Sequence, residues 1–201
     1  MKLSKELLKS LILLTSNSAI ACYPYIGKNE KILADKAATD IMRYELNKLD
    51  IKGKVVIGEG ELDEAPMLFI GEKLGNGNGP EIDIAVDPVE GTNFVAKNLP
   101  GAMTVLAITE KGNLFNAPET YMDKIASGSH IANDVLDLDY TVEKNIRNYS
   151  DASNKKIEEI TVCLLNRPRH NKIIDELNRL KVNIKYISDG DVLGALLVTD
   201  K

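Results

Sequence analysis

The sequence predicts an α/β protein in two parts: a near-complete first domain over residues 1–150 and an incomplete second α/β domain over 155–201. Three observations carry that expectation. Helical apolar spacing opens the chain. A clean apolar–polar alternation marks a strand at Glu81–Asp87. After the polar stretch Ser150–Asn154, which reads as a linker, the pattern becomes strand–helix–strand–helix, the start of a parallel unit.

Taken in order, the first helix runs from about Ser4, a good N-cap, to about Cys22, with Pro24 and Gly27 ending it. Leu7, Leu8, Leu11, Leu14 and Ser18 fall at its helical spacing. A second helix covers about Ile32–Leu49, with Ala34, Ala38, Ile41 and Leu49 on its buried side. Gly53 leads into a short strand, Lys54–Ile57, and Gly58–Glu61 is a turn. Asp63 and Pro66 supply an acidic cap and a first-turn proline for a helix ending near Leu74. Residues 75–80 form a loop.

In Glu81–Asp87, Ile82, Ile84 and Val86 alternate with Asp83, Ala85 and Asp87, and Pro88 is expected to stop the strand. Met103–Thr109 is another strand, turning at Glu110–Asn113 into a partner at Leu114. Residues 121–149 show no resolvable order. Beyond the linker come a strand (Ile160–Leu165), a helix (Asn171–Leu180), a strand (Val182–Ile187) and a helix from Asp191 to Val198. Two strands are few for a parallel sheet, so the second domain reads as unfinished.

Composition narrows the function. The chain has 201 residues, 25 Lys plus Arg, 30 Asp plus Glu and a net charge of −5, with 44% hydrophobic residues. That is globular composition and excludes a disordered chain or a disulfide-stapled miniprotein. An acidic balance with three Phe, seven Tyr and no Trp argues against nucleic acid as a partner. Cys22 and Cys163 lie far apart and form no metal-ligand pair, which suits a reducing compartment. The apolar run at Leu11–Leu14 is cut short by Thr15–Ser18, so no cleaved signal and no membrane span are expected, and the location reads as cytoplasmic.

Carboxylates recur where strands end. Glu59 follows the strand Lys54–Ile57; Asp87 ends the next strand, and Glu90 lies three residues on. Asp35 can join them from the second helix, with Lys31 one turn earlier on its face. Singly, each has a plainer reading: a solvated turn, an Asp-Pro turn opener, a surface pair. Together they suit hard cations such as Mg²⁺ or Mn²⁺, which take oxygen ligands. In Asp87-Pro-Val-Glu-Gly-Thr92, Gly91 lets backbone approach a ligand, Thr92 offers a hydroxyl to orient water, and amides after Glu90 suit phosphate. The set fits metal-assisted phosphate-ester hydrolysis, two metals activating water and neutralising the leaving oxygen. The Gly75–Gly79 run has no following helix or Lys-Ser/Thr and is no phosphate loop.

Asp87–Thr92 followed by Asn93-Phe94 resembles the lithium-sensitive, metal-dependent sugar and inositol phosphatase superfamily. Val56–Glu72, Asn116–Met122, Arg167-Pro-Arg-His170 and Asp189-Gly-Asp191 resemble class II fructose-1,6-bisphosphatase more narrowly. The resemblance implies a layered sugar-phosphatase fold and hydrolysis of the 1-phosphate of fructose 1,6-bisphosphate, a gluconeogenic reaction. It implies Mn²⁺ or Mg²⁺ at two or more sites, with Asp35 and Glu59 on one metal and Asp87 and Glu90 on the other. Lys31 and Thr92 match polar residues beside the catalytic centre. Glu90, Gly91, Thr92 and Tyr121 match substrate contacts, as do Arg167, Pro168 and Arg169 and the segment Asp189, Gly190 and Asp191. Homo-oligomerisation is implied as well.

The residues in the second group also make physical sense. Arg167 and Arg169, between a strand and a helix, are placed to hold a phosphate, or else form a surface basic pair. Asp189 and Asp191 suit sugar hydroxyls, or a turn; His170 reads as structural or exposed. Two departures from the family stand out. Lys36 occupies a position where the family usually has Gly. The family's later Gly-Gly-x-x-Glu segment, which supplies another metal ligand, is absent after Asp191, so the chain reads as C-terminally truncated. The alternative to an enzyme is therefore a non-catalytic remnant that binds metal or phosphate without turnover.

Overall fold

The computed structural model describes residues 4–60, 67–116 and 120–199. The chain divides into two compact units, Met1–Glu119 and Thr120–Lys201.

Two helices and a mixed sheet build the first unit. Helix α1 spans Lys5–Ala21, its N-cap Ser4 accepting a hydrogen bond from the Leu7 amide, as expected. Helix α2 spans Lys31–Leu46. Its fully buried stripe is Ala34, Ala38, Met42 and Leu46, a strict four-residue repeat; Ile41 and Leu49, expected inside, are only half-buried. Strand β1 (Lys52–Ile57) runs parallel to β3 (Glu81–Glu90) and antiparallel to the two-residue β2 (Lys73–Leu74). Strand β4 (Met103–Glu110) is antiparallel to β3, giving the order β2-β1-β3-β4.

Ile82, Ile84 and Val86 of β3 pack with Val55, with Leu14 of α1 and with Met42 and Leu46 of α2. The period-2 pattern thus sends one face of the strand into the helices. A second cluster joins Val89 to Ala34 and Ala38 of α2, Cys22 and Val95.

Three expectations fail here. No helix occupies 67–74: Leu68 and Gly71 have φ of 55° and 94°, outside the right-handed helical range, and Lys73 and Leu74 pair with β1. The proposed helix start at Asp63 and Pro66 lies outside the described residues. Pro88 does not end β3, which runs on to Glu90; the β4 ladder instead shifts register between Asp87 and Glu90, where proline has no N–H to give. Leu114 starts no strand. The buried Asp83 carboxylate takes the Gly112 and Leu114 amides at 2.6 and 3.4 Å.

The second unit pairs β5 (Thr161–Leu165) with β6 (Asn183–Ile187) in parallel, as the strand–helix rhythm predicts. Helix α5 (Asn171–Arg179) connects them, and α6 (Asp191–Leu196) follows. Ser150–Asn154 is no linker: Val142–Ser153 forms helix α4, capped by Thr141 and ended by Asn154 in the left-handed conformation. Ile146 of α4 packs with Ile160, Leu177 and Val182, which draws this stretch into the second unit and sets the division at 119/120 rather than 150–155.

Candidate active site

The candidate site of the first unit lies at the C-terminal ends of the parallel pair β1 and β3, where ligand sites collect in open sheets. On a regular strand, residues three apart point to opposite faces, so Asp87 and Glu90 would be separated. The register shift changes that parity. Val86 and Val89, also three apart, both pack toward the helices. Asp87 and Glu90 therefore share the other face, and their carboxyl groups are hydrogen-bonded to each other. The Val89 amide donates back to Asp87 Oδ1 at 3.0 Å, fixing the bend.

Gly91, with φ of 81°, turns the chain into the short helix α3 (Thr92–Ala96). A Cβ there would lie 2.8 Å from the Phe94 ring, so glycine is required by both conformation and space. The Thr92 hydroxyl donates to the Val89 carbonyl at 3.2 Å, which commits its proton and leaves its lone pairs as acceptors.

Glu59 sits just past β1. Its amide donates to the Leu68 carbonyl at 3.0 Å, and the Ile70 amide donates to Gly60 at 2.9 Å. The fit is close: a Cβ on Gly58 would stand 2.0 Å from the Leu68 oxygen. Asp35 projects from the second turn of α2, one turn beyond the exposed Lys31.

Electrostatics tie these acids together. Burial, then the charge of Asp35, pushes the Glu59 carboxyl up to about 7. Burial, then the hydrogen bond and charge of Glu90, then Glu59, push Asp87 up to about 8. Burial alone raises Asp35. The buried Cys22 thiol is raised to about 11 by burial and by Asp35, so it is an inert neighbour rather than a nucleophile.

A run of half-buried carboxylates, two of them with proton affinity raised by burial and by acidic neighbours, is the donor chemistry that oxygen-seeking divalent cations neutralise. In that respect the residues fit a metal. Among the described residues, however, no three Asp, Glu, His or Cys side chains are gathered closely enough to hold an ion together.

In the second unit, the loops after β5 and β6 emerge side by side, since Leu165 pairs with Ile187 and the Asn166 amide donates to the Ile187 carbonyl. Arg167 and Pro168 open a single 3-10 turn before α5. The Arg169 guanidinium stacks 4.0 Å over the exposed Tyr121 ring. Gly190 is left-handed (φ 72°) and Asp191 begins α6, with Lys124 at 3.9 Å from its carboxylate. Asp189 is half-buried beside them. The His170 ring is half-buried, its Nδ1 2.7 Å from the Leu165 carbonyl.

Reading by sequence assigned no role to two acids. Asp83 looked like the solvent side of an alternating strand, and Glu72 was one residue in a long motif. Both are buried, at 4% and 5% exposure, and only long-range partners reveal them: the loop amides for Asp83, and Arg43 for Glu72.

The fold and the acidic strand ends define an α/β protein with half-buried carboxylates at the ends of a parallel strand pair. The family model described as bacterial fructose-1,6-bisphosphatase, glpX-encoded, matches residues 5–201, and the chain belongs to that family. It is 44% identical over 193 residues to fructose-1,6-bisphosphatase 1 class 2 of Escherichia coli (strain K12), covering 96% of this chain and 57% of that protein. It is 43% identical over 194 residues to the D-fructose 1,6-bisphosphatase class 2/sedoheptulose 1,7-bisphosphatase of Prochlorococcus marinus (strain MIT 9301), covering 96% and 58%. The chain thus spans somewhat over half the length of these curated relatives. Among solved structures, an extragenic suppressor from Pyrococcus furiosus overlaps 53% of this chain and 41% of its own at 19% identity. Its TM-score of 0.37 is too low to bear on the fold. Among the described residues, no helix is long and apolar enough to cross a membrane.

Proposed function

We propose that this chain carries the chemistry named for its relatives, hydrolysis of the 1-phosphate of fructose 1,6-bisphosphate to fructose 6-phosphate and phosphate. The gluconeogenic role and a cytoplasmic location belong to the same reading. The observation that supports it most is the coupling of Asp35, Glu59, Asp87 and Glu90 at the ends of β1 and β3. Asp35 and Glu59 would hold one Mn²⁺ or Mg²⁺, and Asp87 and Glu90 another. Such ions, when bound, supply Lewis-acid charge to the attacking water, the phosphoryl group and the leaving oxygen.

The chain's own groups do the rest. Thr92, its proton committed to Val89, accepts a hydrogen bond from the attacking water and so aims an oxygen lone pair at phosphorus. The water oxygen bonds to phosphorus as the phosphorus–sugar oxygen bond breaks; one of the water's protons stays on the phosphate formed and the other ends on the leaving sugar oxygen. Gly91, in the left-handed conformation, turns the chain so that the backbone of this loop can meet the phosphoryl group. Lys31, one turn before Asp35, adds positive charge at the acidic end.

For the second unit, the reading is recognition of a sugar phosphate. Arg167 and Arg169 would bind phosphate oxygens, with Tyr121 holding the Arg169 plane. Asp189 and Asp191 would accept from sugar hydroxyls, while Pro168 and Gly190 shape the two loops. A homo-oligomer belongs to the reading as well, and exposed Leu8, Ile12, Leu13 and Ile20 on α1 suit that role.

The test is Mn²⁺-dependent phosphate release from fructose 1,6-bisphosphate by the 201-residue chain, with sedoheptulose 1,7-bisphosphate assayed beside it. Asp87→Ala is expected to cut turnover by more than about a hundredfold, equivalent to roughly 2.7 kcal/mol of transition-state stabilisation. A folded, Mn²⁺-binding chain with no turnover on either sugar would overturn the assignment.

A further inference from the structure

We infer that Glu72 is a positioning residue whose carboxylate, bridging Arg43 of α2 and the Leu68 backbone, fixes Glu59 relative to Asp35 and thereby sets divalent-cation affinity. The inference rests on the reading of Glu59 as a metal ligand.

The connection is continuous. Arg43 Nε donates to Glu72 Oε1 at 2.6 Å. The Leu68 amide donates to Glu72 Oε2, and the Leu68 carbonyl accepts the Glu59 amide at 3.0 Å. Glu72 is itself tied to β1, its carbonyl accepting the Val55 amide at 2.9 Å. Asp35 and Arg43 lie eight residues apart on one helix, so a single path of bonds links the helix bearing Asp35 to the loop bearing Glu59.

Three features favour positioning over simple packing. Leu68 is held at φ 55°, a conformation uncommon for a leucine, and the carboxylate is what engages its amide. Gly58 lies against the Leu68 oxygen with no room for a Cβ, so a shift of Leu68 transmits directly to the turn before Glu59. Glu72 is buried to 5% exposure, and burying a carboxylate is costly, so an apolar residue would serve a purely structural role as well.

The experiment measures Mn²⁺ affinity of the substrate-free 201-residue chain by electron paramagnetic resonance of free Mn²⁺. Glu72→Gln, Glu59→Gln and the double variant are compared, with amide hydrogen exchange at Glu59 as a second readout. Glu72→Gln is expected to weaken Mn²⁺ binding by about tenfold, the scale typical of outer-shell partners, and to speed exchange at the Glu59 amide. The double variant is expected to bind no more weakly than Glu59→Gln alone, because Glu72 acts through Glu59.

Affinity of Glu72→Gln within about twofold of wild type, or losses that multiply in the double variant, would overturn the inference. Equal affinity of wild type and Glu59→Gln would instead remove the metal reading of Glu59, and this inference with it. Should Glu72→Gln fail to fold, Arg43→Gln, at a more exposed side chain, carries the same comparison with the same outcomes.

Discussion

In the first unit, the strand-end carboxylates are half-buried, and burial together with neighbouring acids raises the affinity of Glu59 and Asp87 for protons. In the second, the corresponding loops after β5 and β6 present charge to water, with Arg169 stacked on an exposed ring and Lys124 near Asp191. The difference follows from the sheets beneath them. In the first unit, β3 lies between β1 and β4, and Ile84 at its middle is fully buried. A central strand of this kind can hold acids out of solvent at its end. The second unit has two strands among the described residues, and β6 leaves Tyr186 exposed. One end is built to strain charges together, the other to offer them singly.

The largest effect should come from the support itself. Ile84→Ala is expected to cost the first unit about 3–4 kcal/mol, read by urea unfolding, because a central strand cannot collapse onto the cavity. Leu177→Ala, in the smaller core of the second unit, should cost less, about 2–3 kcal/mol. Equal losses would erase the contrast between the two supports. Gly58→Ala tests the local geometry and is expected to cost about 2 kcal/mol, since the new methyl must displace the Leu68 carbonyl. It should also lower Mn²⁺ affinity, whereas an alanine tolerated without either change would show that the turn before Glu59 has slack.

The pH dependence has a definite sign. Glu59 and Asp87 titrate at about 7 and 8 when folded, against usual values of 4.5 and 3.8. The folded chain therefore holds these protons more tightly than the unfolded chain does. Stability from this source is complete below about pH 4 and is lost as pH rises through about 7 to 8. The metal-free protein should melt at a lower temperature at pH 8.5 than at pH 5, and Asp87→Asn should flatten that slope. A slope unchanged by Asp87→Asn would place its origin elsewhere. The smallest effect belongs to the exposed stack of the second unit: Tyr121→Ala is expected to cost less than about 1 kcal/mol, and a larger loss would mean that the stack braces the unit.

Much of this was legible in the residues. Ser4 capped α1, Asn171–Leu180 and Val182–Ile187 came within a residue of α5 and β6, and the acids at the ends of β1 and β3 stood out by position. Helix caps and short periodic runs are local, so sequence shows them. What failed was decided at long range. Pro88 reads locally as a stop, yet pairing with β4 resumes at Glu90 and carries β3 past it. The stretch before Leu74 reads as helix, yet β1 recruits its end as a strand. Ser150–Asn154 is polar enough for a linker, but Ile146 anchors that turn of helix to a core. The parity change that unites Asp87 with Glu90 depends on the partner strand, and no spacing rule along one chain reveals it.

Asp83 has a consequence for the company this protein keeps. Strand β4 is the outer strand of its sheet, and the backbone leaving it would offer unpaired amides to any passing strand. By taking the Gly112 and Leu114 amides, the buried carboxylate bends that segment away from an extended course and occupies donors that another chain would otherwise claim. Asp83→Ala should therefore reveal itself as aggregation on gentle warming, at temperatures where the native chain stays in solution.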